Sequence, residues 1–340
     1  NTAAGAISII TVKPSGEYEA MAELTYANNN RKEVRGMVNV PFGESTNAMR
    51  ITGFAVDGDH LYDNTWTGEE INDVNKWGVR SRFLFDTEAA GEWVFSLDYS
   101  KEDTDCCGLA VIDYDGLSTL NSPLTNNPSA ELQQELGLND RGEPILDYNA
   151  FEDTEGFSPP SANPFGKDYW YDGDTYNKVT VGGAALEWNY DLANGDAITF
   201  INAWRNYTSD SAYDGDFSAY DAVRGSTDVE LDQYSSELRL HTNSGETFEG
   251  QAGLFAYYSE FDSLGTFQMS PSLVRNIGLD LFYPDGSLNV DTNLYTTTSM
   301  AAFGQLIWNV SDKFSATFGL RYTYEKKERE GSQITTGLAE

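Results

Sequence analysis

The sequence predicts an all-β chain, a transmembrane antiparallel β-barrel with about eleven strands present, and three observations carry that fold class. First, strand-like segments are joined alternately by short polar turns and by long excursions. The short connections are Gly43-Glu44-Ser45-Thr46-Asn47, Thr87-Glu88-Ala89-Ala90-Gly91, Ala193-Asn194-Gly195-Asp196, Asn243-Ser244-Gly245-Glu246 and Ser311-Asp312-Lys313, all rich in residues that turn a chain cheaply. The long ones span 59–74, 102–175, 209–228 and 263–295, far beyond the connections usual inside a compact domain. Second, apolar and polar residues alternate with period two. Third, no stretch of about 18 apolar residues exists to make a transmembrane helix, yet 13% of the chain is aromatic.

Taken in order, the segments 17–27 and 31–42 are joined by Asn28-Asn29-Asn30, the one outer connection that is short. Segment 47–58 follows, then 75–86, where Trp77, Val79, Phe83 and Phe85 oppose Arg80, Arg82 and Asp86. In 92–101, Trp93, Phe95, Leu97 and Tyr99 oppose Glu92, Ser96, Asp98 and Ser100. Segments 176–191 and 196–207 lead to 229–242, whose inner face would be Gln233, Ser235, Glu237, Arg239 and His241, too polar for a dry core. After 248–262 and 297–310, segment 313–325 alternates most cleanly. Phe314, Ala316, Phe318, Leu320, Tyr322 and Tyr324 fall on one face, with Ser315, Thr317, Gly319, Arg321 and Thr323 on the other. Several segments exceed the 9–11 tilted residues that cross a bilayer, so strands are expected to project beyond the outer surface. Trp93, Tyr322 and Tyr324 near strand ends fit interfacial girdles. An odd strand count, with Asn1 at the start and Glu340 in a polar run at the end, predicts a fragment of a barrel that closes with an even number.

The net charge is −33, from 21 Lys and Arg against 54 Asp and Glu, which excludes a nucleic-acid partner because phosphate recognition needs clustered cations. Much of the acid lies in loops: 102–175 holds 16 Asp and Glu and 2 Lys and Arg. Such a density attracts cations, or simply keeps an exposed surface soluble.

Cys106 and Cys107 are adjacent in the longest loop. They read as a vicinal disulfide stiffening that loop, with pairing elsewhere and metal binding as the alternatives; no histidine is near enough in sequence to complete a zinc set. Tyr169, Trp170 and Tyr171, flanked by Asp168 and Asp172, form either an aromatic platform for a ligand or a membrane-boundary cluster. The run 127–137, with Pro128 near its start and Gly137 at its end, predicts a short helix. Asp57-Gly58-Asp59 and Asp172-Gly173-Asp174 offer oxygen ligands without an EF-hand pattern. His60 and His241 lack the companions of a hydrolytic triad, so no enzyme, metal centre or cofactor is expected.

The opening Asn1-Thr2-Ala3-Ala4-Gly5-Ala6-Ile7-Ser8-Ile9-Ile10-Thr11-Val12-Lys13-Pro14 resembles the last strand of the plug domain in TonB-dependent outer-membrane receptors, departing from the family's usual run at Ser8 and Val12. Gln233-Tyr234-Ser235-Ser236-Glu237-Leu238-Arg239-Leu240, Ala301-Ala302-Phe303-Gly304-Gln305-Leu306 and Gly319-Leu320-Arg321-Tyr322-Thr323 are similar to the same family. The resemblance implies residues 1–14 as the C-terminal end of a plug and 15–340 as the first half of a 22-stranded barrel. It also implies a siderophore-receptor-like protein of the Gram-negative outer membrane. Such a receptor imports a ferric siderophore or other iron complex, and its partners are TonB, reached through a more N-terminal region, and outer-membrane lipid. Cobalamin, haem or an oligosaccharide are the alternative ligands, and a passive porin is the rival.

Overall fold

The structure, a computed structural model, describes residues 10–43, 46–87, 89–107, 166–169, 171–217, 219, 221–243, 247–276, 281–311 and 313–337. Among these, eleven strands form one antiparallel sheet. In spatial order they are β1 (Glu19–Tyr26), β2 (Lys32–Pro41), β3 (Ala48–Gly58), β6 (Val74–Thr87), β7 (Gly91–Thr104), β9 (Tyr176–Asp191), β10 (Ala197–Asp214), β11 (Val223–Asn243), β12 (Phe248–Met269), β13 (Ser287–Ser311) and β14 (Phe314–Gly337). Three short strands, β4 (Tyr62–Asn64), β5 (Glu70–Ile71) and β8 (Asp168–Tyr169), make a second sheet in order β5-β4-β8, and α1 (Pro271–Asn276) is a single helical turn and a half. No helix among the described residues is long and apolar enough to cross a membrane.

Period two sorts the strand residues onto two faces, and the ladder carries that sorting across the sheet. Phe83 pairs with Phe95 and Phe95 with Leu186, while one residue away Arg50 pairs with Arg82 and Arg82 with Ser96. One face is therefore predominantly apolar and the other predominantly polar, although the polar face also carries Leu84, Val94, Phe255 and Phe303. Apolar residues such as Leu97 and Phe85 remain 42% and 43% exposed on a smooth outer surface, as expected where lipid replaces water.

Aromatics mark the turn-side rim of that face. Trp93 and Trp188 stack at 5.4 Å, Trp188 and Tyr190 at 5.8 Å, and both indole N–H groups donate to the Ala90 carbonyl. Phe248 and Trp308 stack at 6.2 Å on the far side of the sheet. Across the belt, Trp77 and Tyr99 lie 5.4 Å apart. These aromatics bound the apolar band of the outer face at both ends, as interfacial girdles do.

Among the described residues, turns form where the sequence places them. Gly91 has φ +77°, and a Cβ there would meet the Asn189 carbonyl oxygen at 2.3 Å, so only glycine fits. Asn29 and Asn30 both take positive φ, the left-handed pair that a tight hairpin turn needs. The outer ends differ from expectation. The connections expected at 209–228 and 263–295 are shorter than their sequence suggested, because β10 runs to Asp214, β11 starts at Val223, β12 runs to Met269 and β13 starts at Ser287. β14 likewise continues to Gly337 rather than ending near 325. Beyond the bilayer both faces of a strand meet water, so pairing continues as in Ser209 with Val229 and Asp210 with Asp228 although apolar alternation has ceased.

Candidate functional site: the inner face and its outer rim

Residues 10–15 lie across the polar face, fixed by side chains; none of residues 10–14 joins a strand ladder. Arg82 Nη1 donates to the carbonyl oxygens of Thr11 at 2.8 Å and Val12 at 2.9 Å. Asn39, with no exposed surface, donates through Nδ2 to the carbonyls of Ser15 and Glu17 and accepts from Ser15 N and Arg50 Nε. Arg50 is also paired with Glu19, at 2.7 Å. Lys13 Nζ reaches Glu92 at 2.6 Å. Arg82, Asn39 and Arg50 stand on neighbouring strands at one level, so a buried polar layer grips a peptide backbone.

At the opposite end of the strands the second sheet carries a core of its own. Ile71, Tyr169 and Tyr171 are buried, with Tyr62 packed against them; the rings of Tyr169 and Tyr171 meet edge-on at 4.7 Å. Asn64 clasps Tyr171 from both sides, donating to its carbonyl at 3.0 Å and accepting from its N–H at 3.3 Å. Beside this core, Asp172 pairs with Arg224, and Asp214 is 1% exposed with Oδ1 accepting from the N–H groups of Asp216 and Phe217. Burial, reinforced by the charges of Asp216 and Asp172, pushes the Asp214 carboxyl up to about 8. Burial also raises the phenol of Tyr169. A cavity of about 290 Å³ here is lined by Cys107, Tyr171, Asp214 and Phe217 among others.

The architecture can hold an extended segment against one face of a membrane-spanning sheet while ordered loops stand over the other end. A family model described as TonB dependent receptor-like, beta-barrel, matches residues 113–337. The chain belongs to that family. No curated protein matches the sequence. Among solved structures, the ferric yersiniabactin uptake receptor FyuA from Yersinia pestis aligns with a TM-score of 0.64 at 12% identity, over 96% of this chain and 44% of that one. The pyoverdine outer membrane receptor FpvA from Pseudomonas aeruginosa PAO1, bound to pyoverdine, aligns with a TM-score of 0.57 at 14% identity, over 96% and 43%. FpvAI in complex with pyocin S2 aligns with a TM-score of 0.55 at 14% identity, over 96% and 40%. These likenesses are of fold, and the chain spans less than half the length of those structures.

Within this receptor fold the polar face is the inner wall and the apolar face the outer wall. Cys106 and Cys107 are disulfide-bonded at the end of β7, on the outer side. Tyr169 and Tyr171 are 2% and 1% exposed, so in this arrangement both rings join loops to each other; Trp170, and the helix expected at 127–137, lie outside the described residues. Asp172-Gly173-Asp174 packs on Asp214, where a Cβ on Gly173 would lie 3.4 Å from the Asp214 Cβ. His241 is on the inner wall, opposite Gln251.

His60 has companions that linear spacing did not reveal. Its Nδ1 lies 2.8 Å from Glu70 and its Nε2 3.4 Å from Asp63, and the three ligand atoms are close enough to hold a metal ion. Asp63 pairs across the small sheet with Glu70 on one side and Asp168 on the other. Asp63 and Glu70 are like-charged cross-strand partners, and the His60 ring lies between their carboxylates. The i,i+3 spacing of His60 and Asp63 was the only trace of this in the sequence.

Proposed function

We propose that the chain supplies the end of the plug, residues 1–14, and the first half of the barrel, residues 15–340, of an energised receptor in the Gram-negative outer membrane. The cargo is a ferric siderophore or another iron complex, captured by the outer loops and passed inward when TonB draws on the plug. The observation that carries this reading is the fastening of residues 11–15 to Arg82 and Asn39 on the inner wall of a chain whose family is that of TonB-dependent receptors. A barrel of this family is wide enough to need a plug, and a plug must be held by contacts that can be released. Polar side chains gripping a backbone suit that better than a packed apolar interface. The iron-complex cargo is supported by solved relatives named for ferric yersiniabactin uptake and for pyoverdine.

In this reading the Cys106–Cys107 disulfide stiffens the outer loop. Tyr169, Trp170 and Tyr171 contribute to ligand contact by ordering the rim or by turning outward when the loop cluster opens. The test is uptake of radiolabelled ferric chelates by a Gram-negative host making the complete receptor, with and without functional TonB. Uptake that disappears without TonB is expected. Uptake indifferent to TonB would identify a porin, and TonB-dependent uptake of haem, cobalamin or a glycan instead of iron chelates would replace the cargo.

A further inference from the structure

Five of the 21 Lys and Arg residues of this acidic chain, Arg31, Arg35, Lys76, Arg80 and Arg205, line one cavity of about 770 Å³ on the inner wall. The cavity lies across β2, β3, β6, β7, β9 and β10, immediately outward of the layer that grips residues 11–15. Among the described residues that line it, the carboxylates are Glu33, Asp98 and Glu102. The arginines are arranged in two pairs that each share a single acid. Arg205 Nη1 contacts both oxygens of Asp98, at 2.6 and 2.7 Å, and Arg80 stands 3.7 Å from the same carboxylate. Arg31 and Arg35 both pair with Glu33. Each pair therefore keeps a surplus positive charge, with guanidinium N–H donors left over to face the cavity. Met37 and Phe54 supply apolar wall between them.

Resting on the receptor reading above, we propose that this cavity is a transit site selecting a multiply anionic metal chelate, one whose carboxylate or catecholate oxygens are taken up by the Arg80–Arg205 and Arg31–Arg35 pairs. The wall could equally have been a ladder of balanced ion pairs, but balance would need one acid per base; five bases and three acids line the cavity, and even with Glu23 opposite Arg35 on β1 the bases stay in excess, most clearly where Arg80 and Arg205 share Asp98. Guanidinium forks match carboxylate and catecholate oxygens in geometry as well as charge. The acidic outer loops do not forbid such cargo. Exposed charges are screened beyond about 8 Å at physiological salt, whereas contact with partly desolvated guanidinium groups is not.

The complete receptor in detergent is titrated with three probes: ferric citrate and a ferric tris-catecholate, both anionic, and a neutral ferric tris-hydroxamate. At least one anionic probe is expected to bind, with a loss of about tenfold or more in R80Q/R205Q, a smaller but measurable loss in R80K/R205K, which keeps the charge and not the fork, and tightening in D98N. Heat-modifiable migration on gels checks that each variant is folded. Should R80Q/R205Q not fold, D98N decides, since unchanged anion binding there overturns the proposal. Preference for the neutral chelate, or anion binding that ignores R80Q/R205Q, overturns the transit site while leaving TonB-dependent uptake standing. If none of the three probes binds, the iron-chelate reading falls and the transit site with it.

Discussion

At the scale of the residue, the buried acid Asp214 departs furthest from what its sequence neighbourhood would suggest. Its folded pKa of about 8 lies well above that of a free carboxyl. Between roughly pH 4 and 8 the folded state therefore holds the proton more tightly than the unfolded one, and stability conferred by the neutral acid is lost as pH rises through about 8. The groups facing it are Asp172, Asp216 and Arg224, the last already paired with Asp172. The outer loops at 171–176 and 214–223 should become more open to protease or hydrogen exchange at pH 9 than at pH 6. Asp214→Asn, which keeps the oxygen that accepts from Asp216 and Phe217, should make protection independent of pH across that interval. An unchanged pH profile in the variant would assign the effect to another group. Asp-Gly-Asp at 214–216 is plain in the sequence; that Asp172-Gly173-Asp174 folds against it is a tertiary fact, since 39 intervening residues separate the two.

At the scale of the element, alternation decides which substitutions a strand tolerates. Leu97 points to the outer wall midway along β7 and Ser96 to the inner wall. Leu97→Arg should cost about 2–4 kcal/mol, the range for an arginine at the bilayer midplane, and Ser96→Arg much less. Urea unfolding of the receptor in lipid vesicles measures both, and equal costs would mean the faces are assigned wrongly. The register of the spanning segments was legible because lipid on one side and water on the other impose period two. Their outer ends were not legible, because polar residues such as Ser209, Asp210, Thr227 and Asp228 continue a ladder as readily as they form a loop. Short β4, β5 and β8 leave no mark in the sequence for a related reason: two or three residues carry no period.

At the scale of the whole molecule, the eleven-stranded sheet begins at β1 and ends at β14, and these two do not pair. Each leaves a row of unsatisfied N–H and C=O groups that would face hydrocarbon, at several kcal/mol per group. The 340 residues presented alone to detergent or lipid should fail to give the heat-modifiable gel migration of a closed barrel. The complete receptor should show it. A compact, heat-modifiable species from the 340 residues alone would mean that the edges meet, or that two copies complete each other.

The sequence by itself determined the fold class, the eleven strands, the hairpin turns and the assignment of inner and outer wall. Those follow from local rules: period two, turn chemistry and the solvent on either side of a strand. Only the tertiary structure decided what the strands bring together. Arg80 and Arg205 lie on strands far apart in sequence yet converge on Asp98, and His60 finds Glu70 through a ladder of two residues. Tyr171 finds Asn64 across more than a hundred residues. Such convergence depends on strand register and loop packing summed over the sheet, and no short stretch of sequence encodes it.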